Sequence, residues 1–295
     1  MKLSLFTVSY AGLWGQQQLS VEDTIRKAAE LGYQGVELMG KRPHFSPLDW
    51  SVEDCRALKT LLEQQKLELA AVAGYTNFTG GTEAPEVPSV ELQIAYVEQL
   101  AMRAQALGGN LVRIFSSYEQ PGVALAAQWQ KTVDAIGECC DRAARYGVTV
   151  GIQNHHDLGV ATKTFAEMIR QIDRPNVTPM YDCWSVHLRG EDLATGVRQM
   201  APQMQFTTVA DYITLPRSQY QPELVNYRDI EPAWTQAVPM GEGELDYRTF
   251  FDGLKESGYE GWVSFEMCSP VRGGGTLENL DHCARKFIEY MREWA

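Results

Sequence analysis

The chain has 295 residues, 44% apolar and 22% charged, the balance of a globular protein able to bury one large core. Acidic side chains outnumber basic ones 38 to 26, giving a net charge of −12, which argues against nucleic acid and anionic membrane as partners. No apolar run is long enough to span a membrane and no leader peptide is evident. The six cysteines include no C-x-x-C pair, so reduced thiols in a cytoplasmic protein are expected.

Short apolar strands alternate with longer amphipathic helices from end to end. Residues 2–10 read as a first strand, with a helix over 21–31. Residues 35–39 and 67–73 are the second and third strands, with helices over 52–65 and 90–107. The fourth strand, 110–115, precedes a helix over 126–146. In the fifth, Val148, Val150 and Ile152 alternate as in a buried strand, and the run ends in Gln153-Asn154-His155-His156-Asp157. A helix over 164–172 follows. Residues 177–181, 205–209 and 262–266 complete eight strands, with helices over 193–200, 247–256 and 277–294.

Eight strand–helix units predict an α/β fold, a single (β/α)8 TIM barrel over residues 1–295. Gly32, Gly108, Gly147 and Gly258 close helices just before strands, where a left-handed residue turns the chain. Two connections are long. The segment 74–89 carries Gly80-Gly81 on the expected top face. The segment 210–245, rich in aromatics, reads as a lid, a homo-oligomer contact, or both.

Four of the five histidines, His44, His155, His156 and His187, fall just beyond strand ends, where a barrel places its chemistry. His44 lies between Pro43 and Pro47, in a stiff loop. Asp182 follows the sixth strand and Glu266 ends the eighth. A carboxylate there must be paired, solvated or metal-bound, so with donors from strand five the pair suits Mn2+ or Mg2+. Taken singly, each is equally a helix cap or a salt-bridge partner. Glu37 and Arg113 read as a structural ion pair lining the barrel. The run Arg272-Gly273-Gly274-Gly275-Thr276 offers backbone N–H groups to a phosphate, but without a defined fingerprint.

Three segments, Gly32–Leu38, Val238–Tyr247 and Gly258–Glu266, resemble the sugar isomerase/epimerase superfamily with a xylose isomerase-like barrel. The superfamily also includes inosose dehydratases and endonuclease IV, and the resemblance extends over essentially the whole chain. It implies a divalent metal held by Glu, Asp, His and Glu from strands five to eight. Asp182 and Glu266 match. Gln153 stands at the first Glu, and Thr208, three residues before Asp211, stands at the His.

A glutamine takes no proton near neutral pH, so the two-carboxylate chemistry implied for the epimerases loses one partner. Gln153 keeps a carbonyl oxygen for a metal, and His155, on the same side of the strand, is the nearest replacement base. Metal ligands are thus expected at Gln153, Asp182 and Glu266, and catalysis at Glu266 and His155. Substrate contacts are expected from His44, His156, Trp184, His187 and Arg217.

The resemblance favours isomerisation or epimerisation of a carbohydrate or keto-polyol by proton transfer beside a carbonyl. Loss of one Glu favours a lyase or dehydratase, or a deglycosidase of 3-keto glycosides. A sugar-binding barrel without catalysis is the alternative from another class. An endonuclease-like reading is opposed by Ser185, where that chemistry implies a His three residues after Asp182, and by the acidic charge.

Overall fold

The computed structural model describes residues 1–81 and 86–295; part of the 74–89 segment, residues 82–85, lies outside the described residues. Seven parallel strands appear first: β1 (Lys2–Phe6), β2 (Gly35–Met39), β3 (Glu68–Ala73), β4 (Leu111–Phe115), β5 (Thr149–Gln153), β6 (Val177–Met180) and β7 (Phe206–Val209). The eighth barrel strand is β10 (Trp262–Phe265). It pairs between β1 and β7, so the sheet runs β6-β5-β4-β3-β2-β1-β10-β7. The open seam between β6 and β7 is spanned by Thr207 Oγ1, which donates to Tyr181 O at 2.9 Å. The barrel is nearly closed, as the sequence predicts.

Helices α1 (Val21–Leu31), α2 (Val52–Gln65), α3 (Ser89–Ala106), α4 (Leu125–Ala144) and α5 (Thr162–Ile172) cover the first half. The second half carries α6 (Cys183–Leu188), α7 (Leu193–Met200), α8 (Tyr247–Glu256) and α9 (Leu277–Met291). Local chemistry sets their ends. Ser51 and Asp54 form a reciprocal capping box on α2, and Ser20 and Thr276 cap α1 and α9. The four helix-closing glycines all take positive φ, from +66° at Gly147 to +93° at Gly32.

Alternation along the strands separates two environments. Val112, Ile114, Val150 and Ile152 pack outward into the core shared with the helices. Leu111, Met180 and Phe206 form an apolar plug inside the barrel. In register with one another on that inner side, Arg113 pairs with Gly151 and Phe115 with Gln153, while Thr208 pairs with Ser264. Polar side chains thus gather toward the strand C-termini.

One reading is corrected: the first strand ends at Phe6, and Thr7–Tyr10 form a 3-10 turn. The segment 210–245, expected as a lid, an oligomer contact, or both, is built on β8 (Asp211–Gln221) and β9 (Asn226–Val238), which pair as an antiparallel hairpin. Pro216 hid it, since proline argues against a paired strand; here it sits in a register break between Leu215↔Trp234 and Arg217↔Ile230. The outer half is exposed, including Leu224, Val225 and Tyr227. No helix among the described residues is long and apolar enough to cross a membrane, and all six cysteines are unpaired.

Candidate active site

A cavity of about 260 Å3 opens at the C-terminal ends of the barrel strands. Gln153, His155, His156, Trp184 and Glu266 line it, together with Lys41, Tyr75, Arg113 and Phe115. A larger surface groove of about 340 Å3, between α5 and α7, contains none of these side chains.

Strand five supplies the first group. Gln153, 2% exposed, donates from Nε2 to Asp182 Oδ2 at 2.9 Å and to Thr208 Oγ1 at 3.3 Å. Its Oε1 is buried without a partner. Asn154 turns the other way and clamps the Asp182 backbone. Its Oδ1 accepts from Asp182 N at 2.7 Å, and its Nδ2 donates to Asp182 O at 3.3 Å. Asp182 is also the N-cap of α6, its Oδ1 accepting from Ser185 N at 2.9 Å. The helix-cap reading of this carboxylate is therefore realised. Burial pushes the Asp182 carboxyl up to about 6, against the hydrogen bonds from Gln153 and Ser185.

Glu266 is 5% exposed and is the cavity's only lining carboxylate among the described residues. Burial, opposed chiefly by the Arg113 charge, pushes its carboxyl up to about 8. Near neutral pH it therefore holds a proton that it can readily exchange.

The His155 ring is oriented by its own loop. Its Nδ1 accepts the backbone N–H of His156 at 2.7 Å, which places the ring proton on Nε2. Burial and the Arg113 charge bring it down to about 4, so it is neutral at pH 7. His156 has φ +64°, in the left-handed region where a non-glycine residue is strained. Its ring stacks 3.9 Å from Tyr118, centroid to centroid, and burial, with His155 beside it, lowers it to about 3.

On the neighbouring strand β4 lies Arg113, 1% exposed. Its Nε and Nη2 both donate to Glu37 Oε1 at 3.1 Å, the buried pair expected from the sequence. Phe115 and Phe6 flank the guanidinium, with ring centroids 4.7 and 5.1 Å from Cζ.

The other expected contacts do not line this cavity. His44 is buried on the loop after β2, its Nε2 3.1 Å from Leu19 O. His187 sits in the last turn of α6. Arg217 is on the hairpin, where Nη1 donates to Pro232 O at 3.2 Å. Sequence reasoning passed over Lys41 and Tyr75 as site residues. Both stand two positions past a strand end, Met39 and Ala73, and that placement was the available signal.

The residues do not fit the expected divalent cation. With Asp182 ionised, the 2.9 Å contact requires Gln153 to turn its amino hydrogens toward the carboxylate, and the same hydrogens face Thr208. Gln153 Nε2 is thus spent on Asp182 and Thr208 where ligands would converge, and only its Oε1 is left without a partner. Among the described residues no three His, Cys, Asp or Glu side chains cluster to hold a metal.

A parallel eight-stranded barrel with a polar cavity at its strand C-termini has the architecture of a barrel enzyme. The chain belongs to the xylose isomerase-like TIM barrel family, whose sequence profile matches residues 25–293. It is 22% identical over 285 residues to an inosose dehydratase of Geobacillus thermodenitrificans, covering 94% of this chain and 90% of that one. It is 20% identical over 279 residues to a fructoselysine 3-epimerase of Escherichia coli O157:H7, covering 90% of each. The crystal structure of the IOLI protein with a bound zinc atom superimposes with a TM-score of 0.75 at 16% identity, covering 100% of this chain and 99% of that one.

Proposed function

We propose that this chain is a lyase that dehydrates a polyhydroxylated keto compound, a keto sugar or keto-polyol, beside its carbonyl. The observation that carries this is the polar lining of one cavity. Gln153 Oε1, His156 Nδ1, Tyr75 Oη, Trp184 Nε1 and Arg113 Nη1 are all buried without partners. Buried polar atoms normally find partners, so five such atoms around one space describe a ligand rich in hydroxyl and carbonyl groups.

A single carboxyl selects elimination over epimerisation. An epimerase must return the proton to the opposite face of the carbon from a second acid. Here that side carries Gln153, which does not titrate, and two histidines that stay neutral. In a syn elimination one group suffices. The ionised fraction of Glu266, which grows as pH rises toward 8, takes the proton from the carbon beside the carbonyl, and the C–H electron pair becomes the new C=C bond. The C–O bond on the next carbon breaks, and Glu266 returns that proton to the departing hydroxyl as water. His155 Nε2–H and Trp184 Nε1–H are the donors available to the enolate oxygen. The chemistry of the inosose dehydratase relative supports this reading, which derives no step through a metal.

The test is incubation with inososes and ketoses in D2O, with products identified by mass and NMR. Loss of water, abolished in Glu266→Gln, is expected. Epimer formation without water loss overturns the proposal in favour of an epimerase. Binding with neither dehydration nor deuterium uptake overturns it in favour of a sugar-binding barrel.

A further inference from the structure

Arg113 uses two of its three nitrogens on Glu37 and leaves Nη1 buried without a partner at the cavity wall. Lys41, from the loop after β2, reaches the same cavity and holds Nζ 3.8 Å from the Tyr75 ring centroid. The Arg113 Cζ lies 5.8 Å from that ring, and the Tyr75 hydroxyl is itself buried without a partner. Two cations and an unused hydroxyl thus meet around one aromatic ring. Burial and the Arg113 charge both pull the Lys41 ammonium down, and no carboxylate figures among the influences on it.

This cavity sets Lys41 and Arg113 against a single lining carboxyl among the described residues, Glu266. The unused Nη1 hydrogens cost desolvation unless an acceptor reaches them, and an anionic oxygen between guanidinium and ammonium satisfies both.

We infer that the substrate carries an acidic group, a carboxylate or a phosphate, held by Arg113 Nη1, Lys41 Nζ and the Tyr75 hydroxyl. This rests on the proposed dehydratase reading and names its substrate class as a keto-sugar acid or keto-sugar phosphate. The anion would anchor one end of the molecule at β2–β4 and direct its carbonyl toward His155 and Glu266.

Calorimetric titration of the intact protein with D-fructose, 2-keto-D-gluconate and D-fructose 6-phosphate tests the inference. At least one acid is expected to bind tenfold or more tighter than D-fructose, its affinity falling as salt rises. The acid that does so separates carboxylate from phosphate. Lys41→Gln is expected to lower that preference several-fold. Lys41 is half-buried and outside the Glu37 pair, so this variant stays readable where Arg113→Met fails to fold. Equal binding of all three probes, or an unchanged preference in Lys41→Gln, overturns the inference. Acid-selective binding without dehydration sinks only the dehydratase reading; dehydration of inosose without preference for either acid sinks only this one.

Discussion

Gln153 donates its Nε2 hydrogens to Asp182 Oδ2 across 2.9 Å, inside a barrel mouth where the resemblance implies a cation between the two side chains. One amide therefore bears on both halves of the proposed reading. It gives a hydrogen bond to a carboxylate that burial raises, and it stands where the resemblance implies a second carboxyl.

The wild-type protein is accordingly expected to purify without stoichiometric divalent metal, and Mn2+ is expected to leave its Tm unmoved. The double variant Q153E/T208H restores the implied ligand types and should gain a Mn2+-dependent rise in Tm. Binding at a hundredfold excess over Kd stabilises by about 2.7 kcal/mol, well within what a melting curve resolves. Elemental analysis and thermal melts with and without EDTA check this. A wild-type Tm that Mn2+ raises and Asp182→Asn abolishes would contradict it.

Glu266→Gln should lower kcat by about 10²- to 10⁴-fold, the usual worth of a positioned acid or base. Its effect on stability has a definite sign. The folded carboxyl titrates at about 8 against an unperturbed 4.5, so the folded state binds the proton more tightly. Stability from this group is complete below about 4.5 and is lost as pH rises toward 8. Asp182, raised to about 6, adds the same trend at lower pH. Urea midpoints of the wild type should decline over this window, and those of Glu266→Gln should decline less. Parallel profiles would show that Glu266 is not the titrating group.

Much of this was legible in the residues, and the rest failed for physical reasons. The apolar alternation at Val148–Ile152 and the glycines before four of the strands act locally, so they announced the barrel and its direction. Gln153 and Thr208 were legible as lost ligands, but their mutual hydrogen bonding depends on strands β5 and β7 meeting across the barrel. The burial of His44 against Leu19 O, 25 positions earlier in the chain, is likewise a tertiary fact. The β8–β9 hairpin was masked by Pro216 and by an exposed outer half without a buried face to impose a pattern. Lys41 and Tyr75 carry no local signal beyond standing two positions past a strand end, and the cavity recruits them by that position.

His155 is expected to serve as a hydrogen-bond donor. His155→Ala should reduce kcat by about two- to tenfold, in line with loss of one neutral donor worth about 0.5–1.5 kcal/mol. His155→Gln keeps an N–H and should recover part of it. Because the imidazole is held down at about 4, kcat should show no histidine limb between pH 5.5 and 7, a window set by roughly 1.5 units above that value. A pH–rate profile with a step near 6.5 that vanishes in His155→Gln would restore the expected role as base.

The Arg113–Glu37 pair separates architecture from recognition. Both side chains are essentially inaccessible, at 1% and 0% exposure. Arg113→Met leaves Glu37 buried and unpaired, and breaking a buried pair this way costs about 3–5 kcal/mol. The double variant Glu37→Leu/Arg113→Met removes both charges and should recover most of that loss in urea denaturation, since replacing a whole buried pair by apolar groups is often neutral. Recovery of stability without recovery of the preference for acidic ligands would mean that the pair carries a guanidinium to the cavity wall. If the double variant stays as unstable as the single one, the surrounding packing depends on the pair itself.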